Sequence, residues 1–185
     1  TGPARIAIPT LTDSDNTGSA LTGGYILKID NPDGDFSWKT KRGYPEDEGG
    51  AIILVAPDKD AITKAQRTYI VDYVQQMEDA LFADRDTGFA RRTYLDYIDR
   101  ASWVDHHLLN TLAINPDALE HSAYFIKPRE GPLQAGPIWD FDKALSTEVE
   151  DFGNRVDAWS ARFGTDLWKT GWWGILARDP EFMQD

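Results

Sequence analysis

Two aspartates in tight turns are the residues of this chain best suited to chemistry. Asp117 lies in Asn115-Pro116-Asp117-Ala118, and Asp140 in Gly136-Pro137-Ile138-Trp139-Asp140-Phe141-Asp142. A loop carboxylate can take a proton from a hydroxyl. A second carboxylate can supply acceptor-only oxygens to a metal ion held against a phosphate. Together these are parts of a phosphoryl-transfer site, and Asp142 offers further oxygens two residues on. Aspartates in such turns also hydrogen-bond their own backbone, so both readings stay open at this point.

Elements must bring the two acids together. Ala123 to Lys127 reads as a strand and Leu133 to Trp139 as its return, with Pro128 to Pro132 in the turn. The layout is therefore helix, loop acid, hairpin, second acid. Protein kinases order a catalytic-loop aspartate, an Asn five residues later, a hairpin and a metal-binding Asp in this way. Here Ser122 stands five residues after Asp117.

The preceding helix starts at a cap, Asp99, and runs through Trp103, Val104, Leu108, Leu109 and Leu112 to about Ile114, where Asn115-Pro116 stops it. Asn110 shares a helix side with His106 and is placed to tie the helix to the Asp117 loop. A longer helix follows Thr63, with Gln66 completing a capping box. Its core stripe is Ile70, Tyr73, Val74, Met77 and Leu81, and Asp84 to Gly88 ends it. Tyr25 to Asp30 reads as a strand ended by Asn31-Pro32-Asp33-Gly34, with Phe36 to Thr40 pairing back on it as a hairpin. Ala51 to Val55 reads as a buried strand, and two short Trp-rich helices are expected around residues 164 to 178.

The chain of 185 residues is 41% hydrophobic, enough for one core, and is read as a single α+β domain over residues 1–185. Both ends look cut, which suggests the C-terminal portion of a larger domain. Net charge is −12 with no basic run, which argues against a nucleic-acid or anionic-membrane surface and favours a basic or neutral acceptor. No apolar run is long enough to span a bilayer, so no membrane insertion is expected. The absence of cysteine excludes disulfides, thiolate nucleophiles and thiolate zinc sites. Of seven tryptophans, Trp159, Trp168, Trp172 and Trp173 cluster near the end and are expected to pack a helical layer.

Asn115-Pro116-Asp117, His121-Ser122 and above all Gly136-Pro137-Ile138-Trp139-Asp140-Phe141-Asp142 resemble the spore coat protein H (CotH) kinase family. Gly23-Gly24-Tyr25 to Asp30, Tyr97 to Trp103, Gly171-Trp172-Trp173 and Asp179-Pro180-Glu181-Phe182 support the resemblance over nearly the whole chain. It implies an atypical protein-kinase-like fold, mainly the C-terminal lobe, with helices packed on short β-hairpins. It implies ATP with Mg or Mn as cofactors, and a secreted or coat protein with a Ser or Thr acceptor as substrate, outside the cell or in a spore coat. By the same resemblance Asp117 matches the catalytic-loop aspartate and Asp140 the metal-binding one. Asp142 matches a second ligand or a supporting group, and Ser122 with His121 the adjoining cofactor contacts.

Two departures stand out. The family often has Asn where this chain has Ser122, and a hydroxyl is a poorer metal ligand than an amide carbonyl. The nucleotide-clamping lysine of the family's N-terminal half also has no counterpart. Gly23-Gly24 and Gly49-Gly50 are isolated pairs that read as turns, neither a phosphate cradle. These departures motivate a non-catalytic adhesion or coat-assembly module as the alternative. A glycoside hydrolase using Asp117 with Asp140 or Asp142, with tryptophans as sugar platforms, is a third reading. His106 and His107 lie mid-helix without a His at four-residue spacing, which argues against a helix metal site. Arg91-Arg92 and Lys39-x-Lys41-Arg42 read as solvated basic spots, with a phosphate contact as the minority reading.

Overall fold

The computed structural model describes residues 10–42, 44, 50–113, 115, 121–142, 144 and 171–184. In chain order the elements are α1 (Gly18–Leu21), β1 (Tyr25–Asp30), β2 (Ser37–Trp38), β3 (Ala51–Ala56), α2 (Lys64–Asp86), α3 (Arg100–Ala113), β4 (Ala123–Lys127), β5 (Gln134–Ala135) and α4 (Gly171–Leu176). The strands form one antiparallel sheet in the order β2-β3-β1-β4-β5. The fold is thus α+β, but the expected separate hairpins are joined into a single five-stranded sheet.

Strand β1 alternates as a sheet strand must, burying Tyr25, Leu27 and Ile29 while Ile26, Lys28 and Asp30 are half-buried on the other face. Both its edges are used, by β3 and by β4. A strand has only two edges, so β2 cannot pair with it as the sequence suggested. Instead β2 adds to the far side of β3, with Ser37 opposite Ile53 and Trp38 opposite Ile52. The glycine pair before β1 is not a simple turn either. Gly24 donates its N–H to the Lys127 carbonyl, and a Cβ on Gly23 would lie 2.0 Å from the Arg129 backbone nitrogen. Two backbones pass there at a distance only glycine permits.

Helix α2 begins as expected. The Thr63 hydroxyl accepts from Gln66 N–H at 3.2 Å and the Gln66 amide oxygen accepts from Thr63 N–H at 3.1 Å. Ile70, Val74, Met77 and Leu81 are buried in the main apolar cluster, with Tyr73 half-buried beside it. In that cluster the Trp103 ring stacks 4.7 Å from Trp173 and lies 5.4 Å from Phe125. Trp172 and Trp173 are therefore packing residues, as expected, whereas Trp159 and Trp168 lie outside the described residues. Of the two expected Trp-rich helices, α4 is the described part.

Arg92 is not a solvated basic spot. Its Nε sits 3.0 and 2.9 Å from the two carboxylate oxygens of Asp179, which is fully buried and also accepts from the Tyr94 hydroxyl at 2.7 Å. No helix among the described residues is long and apolar enough to cross a membrane.

Candidate active site

Helix α3 is the ruler on which the site is measured out. At its start the Asp99 carboxylate accepts from Ser102 N–H at 2.9 Å, the expected cap. The same end is fixed to the returning strand of the hairpin. Trp103 Nε1 and Asp99 N–H both donate to the Leu133 carbonyl, and Ala135 N–H donates to the Ser102 hydroxyl at 3.1 Å.

The other end of α3 is fixed to the loops that carry the acids. Leu108, Leu109 and Leu112 are 47, 48 and 70% exposed, while His106, His107, Asn110 and Thr111 face inward. The buried side is polar because it holds a hydrogen-bonded string. Asn110 Nδ2 donates to the His106 carbonyl at 2.8 Å and lies 3.2 Å from His106 Nδ1. Since the amide nitrogen can only donate, Nδ1 is the acceptor and the His106 proton sits on Nε2. Asn110 Oδ1 accepts from Asn115 Nδ2 at 3.1 Å, and the same Asn115 amide reaches the Asp140 carbonyl at 3.5 Å. The Asn115 N–H closes the helix end on the Asn110 carbonyl. Asn110 thus meets Asn115, at the entry to the Asp117 loop, and the loop itself lies outside the described residues. Asn115, read from sequence as a helix stop and as part of the Asn115-Pro116-Asp117 motif, is the donor in this contact.

Burial drives both histidines neutral, holding His106 and His107 down to about 4, with the His107 ring adding to the effect on His106. A neutral His106 against the Trp173 ring, 5.9 Å away, completes a packed and uncharged support under the site.

The hairpin delivers the carboxylate. Phe125 opposes Ala135 and Ile126 opposes Gln134, and the ladder continues one step through Gly136 N–H to the Tyr124 carbonyl. Beyond it the chain from Pro137 to Asp140 is exposed and returns beside the start of β4. There the Ser122 hydroxyl donates to Asp140 Oδ2 at 3.1 Å. Both residues hold a left-handed backbone, Ser122 at φ +53° and Asp140 at φ +59°. Trp139, 58% exposed, leans on Tyr124 at 5.7 Å and walls one side.

Of the expected site residues, the structure brings Ser122 and Asp140 into direct contact. His121 is half-buried next to Ser122, and Asp142 is exposed two residues beyond Asp140. Asp117 lies outside the described residues. Among the described residues no group of three or more His, Asp or Glu side chains converges as a closed metal cage. What Ser122 and Asp140 offer is an open, hard-oxygen set, one carboxylate with a hydroxyl beside it. That set would suit a hard divalent ion such as Mg or Mn, because such ions take few protein ligands.

The family model described as CotH kinase protein matches residues 12–185 of the chain. No curated protein and no solved structure matches it.

Proposed function

We propose that this chain, which belongs to the CotH kinase protein family, serves an ATP- and metal-dependent transfer of phosphate to a Ser or Thr hydroxyl of a secreted or coat protein. The observation that supports the reading most is the Ser122–Asp140 contact at the open end of the β4–β5 hairpin. It sets an exposed carboxylate beside the position where the kinase template has a metal-binding side chain. Asp140, with Asp142 and Ser122 near it, would hold Mg or Mn, and the ion would neutralise charge on the transferred phosphate. Asn115 and Ser122 fix the Asp140 backbone and carboxylate, so orientation is set before anything binds. Asp117 is proposed to take the proton of the acceptor hydroxyl. His121 is proposed to support the Ser122 side of the cofactor site. A net charge of −12 favours a basic acceptor segment.

A non-catalytic adhesion or coat-assembly role is the second reading. Ser122 favours it, since a hydroxyl stands where an amide carbonyl would bind metal better. The sugar-platform reading loses Trp172 and Trp173, which are buried in the core.

Phosphate incorporation from radiolabelled ATP into a basic acceptor protein, with Mg or Mn, tests the proposal on the full-length protein. Incorporation should fall to background in Asp117→Ala and in Asp140→Ala. Nucleotide binding without any transfer would favour the adhesion reading, and transfer indifferent to both substitutions would remove the site assignment.

A further inference from the structure

A second pocket lies between α2 and α4, away from the residues assigned above. It is a cavity of about 200 Å³ lined by Arg42, Glu78, Phe82, Arg85, Trp172 and Arg178, among others. Three arginines lining one small opening are unexpected in a chain of net charge −12. Two of them share a single ring, with the Arg42 guanidinium carbon 3.9 Å and that of Arg85 4.6 Å from the Phe82 centroid. The ring face attracts each cation, and an anion between them would lower their mutual repulsion further.

The acid in the pocket wall does not answer these charges. Glu78 is fully buried, and its oxygens accept from the Thr40 hydroxyl at 2.8 Å, the Trp172 indole N–H at 3.1 Å and the Gln75 amide at 3.2 Å. All three donors are neutral. Among the described residues no carboxylate pairs with Arg42 or Arg178, and Arg85 meets only its exposed neighbour Asp86. The wall itself is stiff. The Tyr44 and Trp172 rings lie 4.1 Å apart, and a Cβ on Gly171 would fall 1.8 Å from the Tyr44 ring.

We propose that this pocket binds a phosphate monoester or inorganic phosphate through Arg42, Arg85 and Arg178. The guanidinium fork matches the geometry of phosphate oxygens, and three forks exceed what one carboxylate can engage. The volume is below the roughly 300 Å³ at which pockets begin to enclose drug-sized ligands, which favours a phosphate-sized head group over a whole nucleotide. The site is independent of the phosphotransferase reading and stands or falls without it.

Calorimetric titration of the protein with inorganic phosphate and, separately, with O-phosphoserine is the test. Arg42→Ala and Arg178→Ala should each weaken binding about tenfold, the weight of one charge-assisted hydrogen bond. Arg42→Lys should recover only part of the loss, because charge is kept and the fork is not, and Arg91→Ala on the exposed surface should bind as wild type. Binding of both titrants assigns the site to the phosphate group alone, and binding of O-phosphoserine only assigns it to a peptide-borne monoester. Either supports the proposal. Absence of heat for both titrants at roughly 10 mM, the weak end of the affinity scale, overturns it, as does equal binding by wild type and both alanine variants. Both side chains are exposed, and unchanged melting of the variants would show that a loss reflects the pocket rather than the fold.

Discussion

Asp140 holds its carboxylate out on a backbone that L-residues seldom adopt. At φ +59° such a conformation costs on the order of 1 kcal/mol for a non-glycine residue, and Ser122 repeats the condition at φ +53°. The strain persists because Asn115 and Ser122 hold the residue from two sides. Asp140→Gly should therefore raise stability in urea unfolding by about 1 kcal/mol while abolishing metal-dependent transfer. A loss of stability would mean that the carboxylate is a structural cap. The two buried histidines give the molecule an acid limit. Their pKa values fall from about 6.5 when unfolded to about 4 when folded, so between those values the unfolded chain binds protons that the folded one refuses. Stability is then full above pH 6.5 and declines as pH falls toward 4, by roughly 3 kcal/mol per histidine. Thermal melts from pH 7 to 4 should follow that decline, and His107→Gln should flatten it. None of the left-handed backbone at Ser122 and Asp140 was legible in the sequence, because neither residue type demands it.

Helix α3 carries its function on the face that hydrophobic periodicity disregards. Sequence reasoning found its cap, its length and its stop at Asn115-Pro116, since each rests on local chemistry. It did not find that Leu108, Leu109 and Leu112 point outward, because a satisfied polar string can occupy an inward face as well as an apolar stripe can. The consequence is an inverted substitution pattern. Leu112→Lys should alter stability by less than about 0.5 kcal/mol, as a surface change does. Asn110→Leu removes the Asn110 oxygen from the Asn115 amide and the Asn110 donor from His106, and should cost about 1–3 kcal/mol and lower transfer activity as well. Urea unfolding of the two variants checks the order, and a costlier Leu112→Lys would contradict it. By contrast α2, with a capping box and a regular stripe, could be read almost entirely from its residues. Strand β2 could not, because two residues carry no signal for which neighbour they join, and the occupied edges of β1 decided it.

Across the whole molecule, one sheet and one aromatic cluster hold segments far apart in sequence. The hairpin whose ends carry Ser122 and Asp140 is part of that sheet. The fully buried Asp179 ties α4 to the segment between α2 and α3 through Arg92 and Tyr94. Asp179→Ala leaves the Tyr94 hydroxyl without that acceptor and Arg92 with only the exposed Glu181, and should cost about 1–3 kcal/mol in urea unfolding. A cost under about 1 kcal/mol would show that the tie is solvated. The order of helix, hairpin and second acid was legible at this scale, and Ser122 meets Asp140 across the two ends of the hairpin, whereas the loop acid Asp117 lies outside the described residues. The central claim is that Asp140 is preset to hold a divalent ion against a nucleotide. Manganese binding followed by electron paramagnetic resonance, with a non-hydrolysable ATP analogue present, tests it most directly on the full-length protein. Wild type should bind the ion in a nucleotide-dependent way and Asp140→Ala should not. Equal binding by the two proteins would contradict the account.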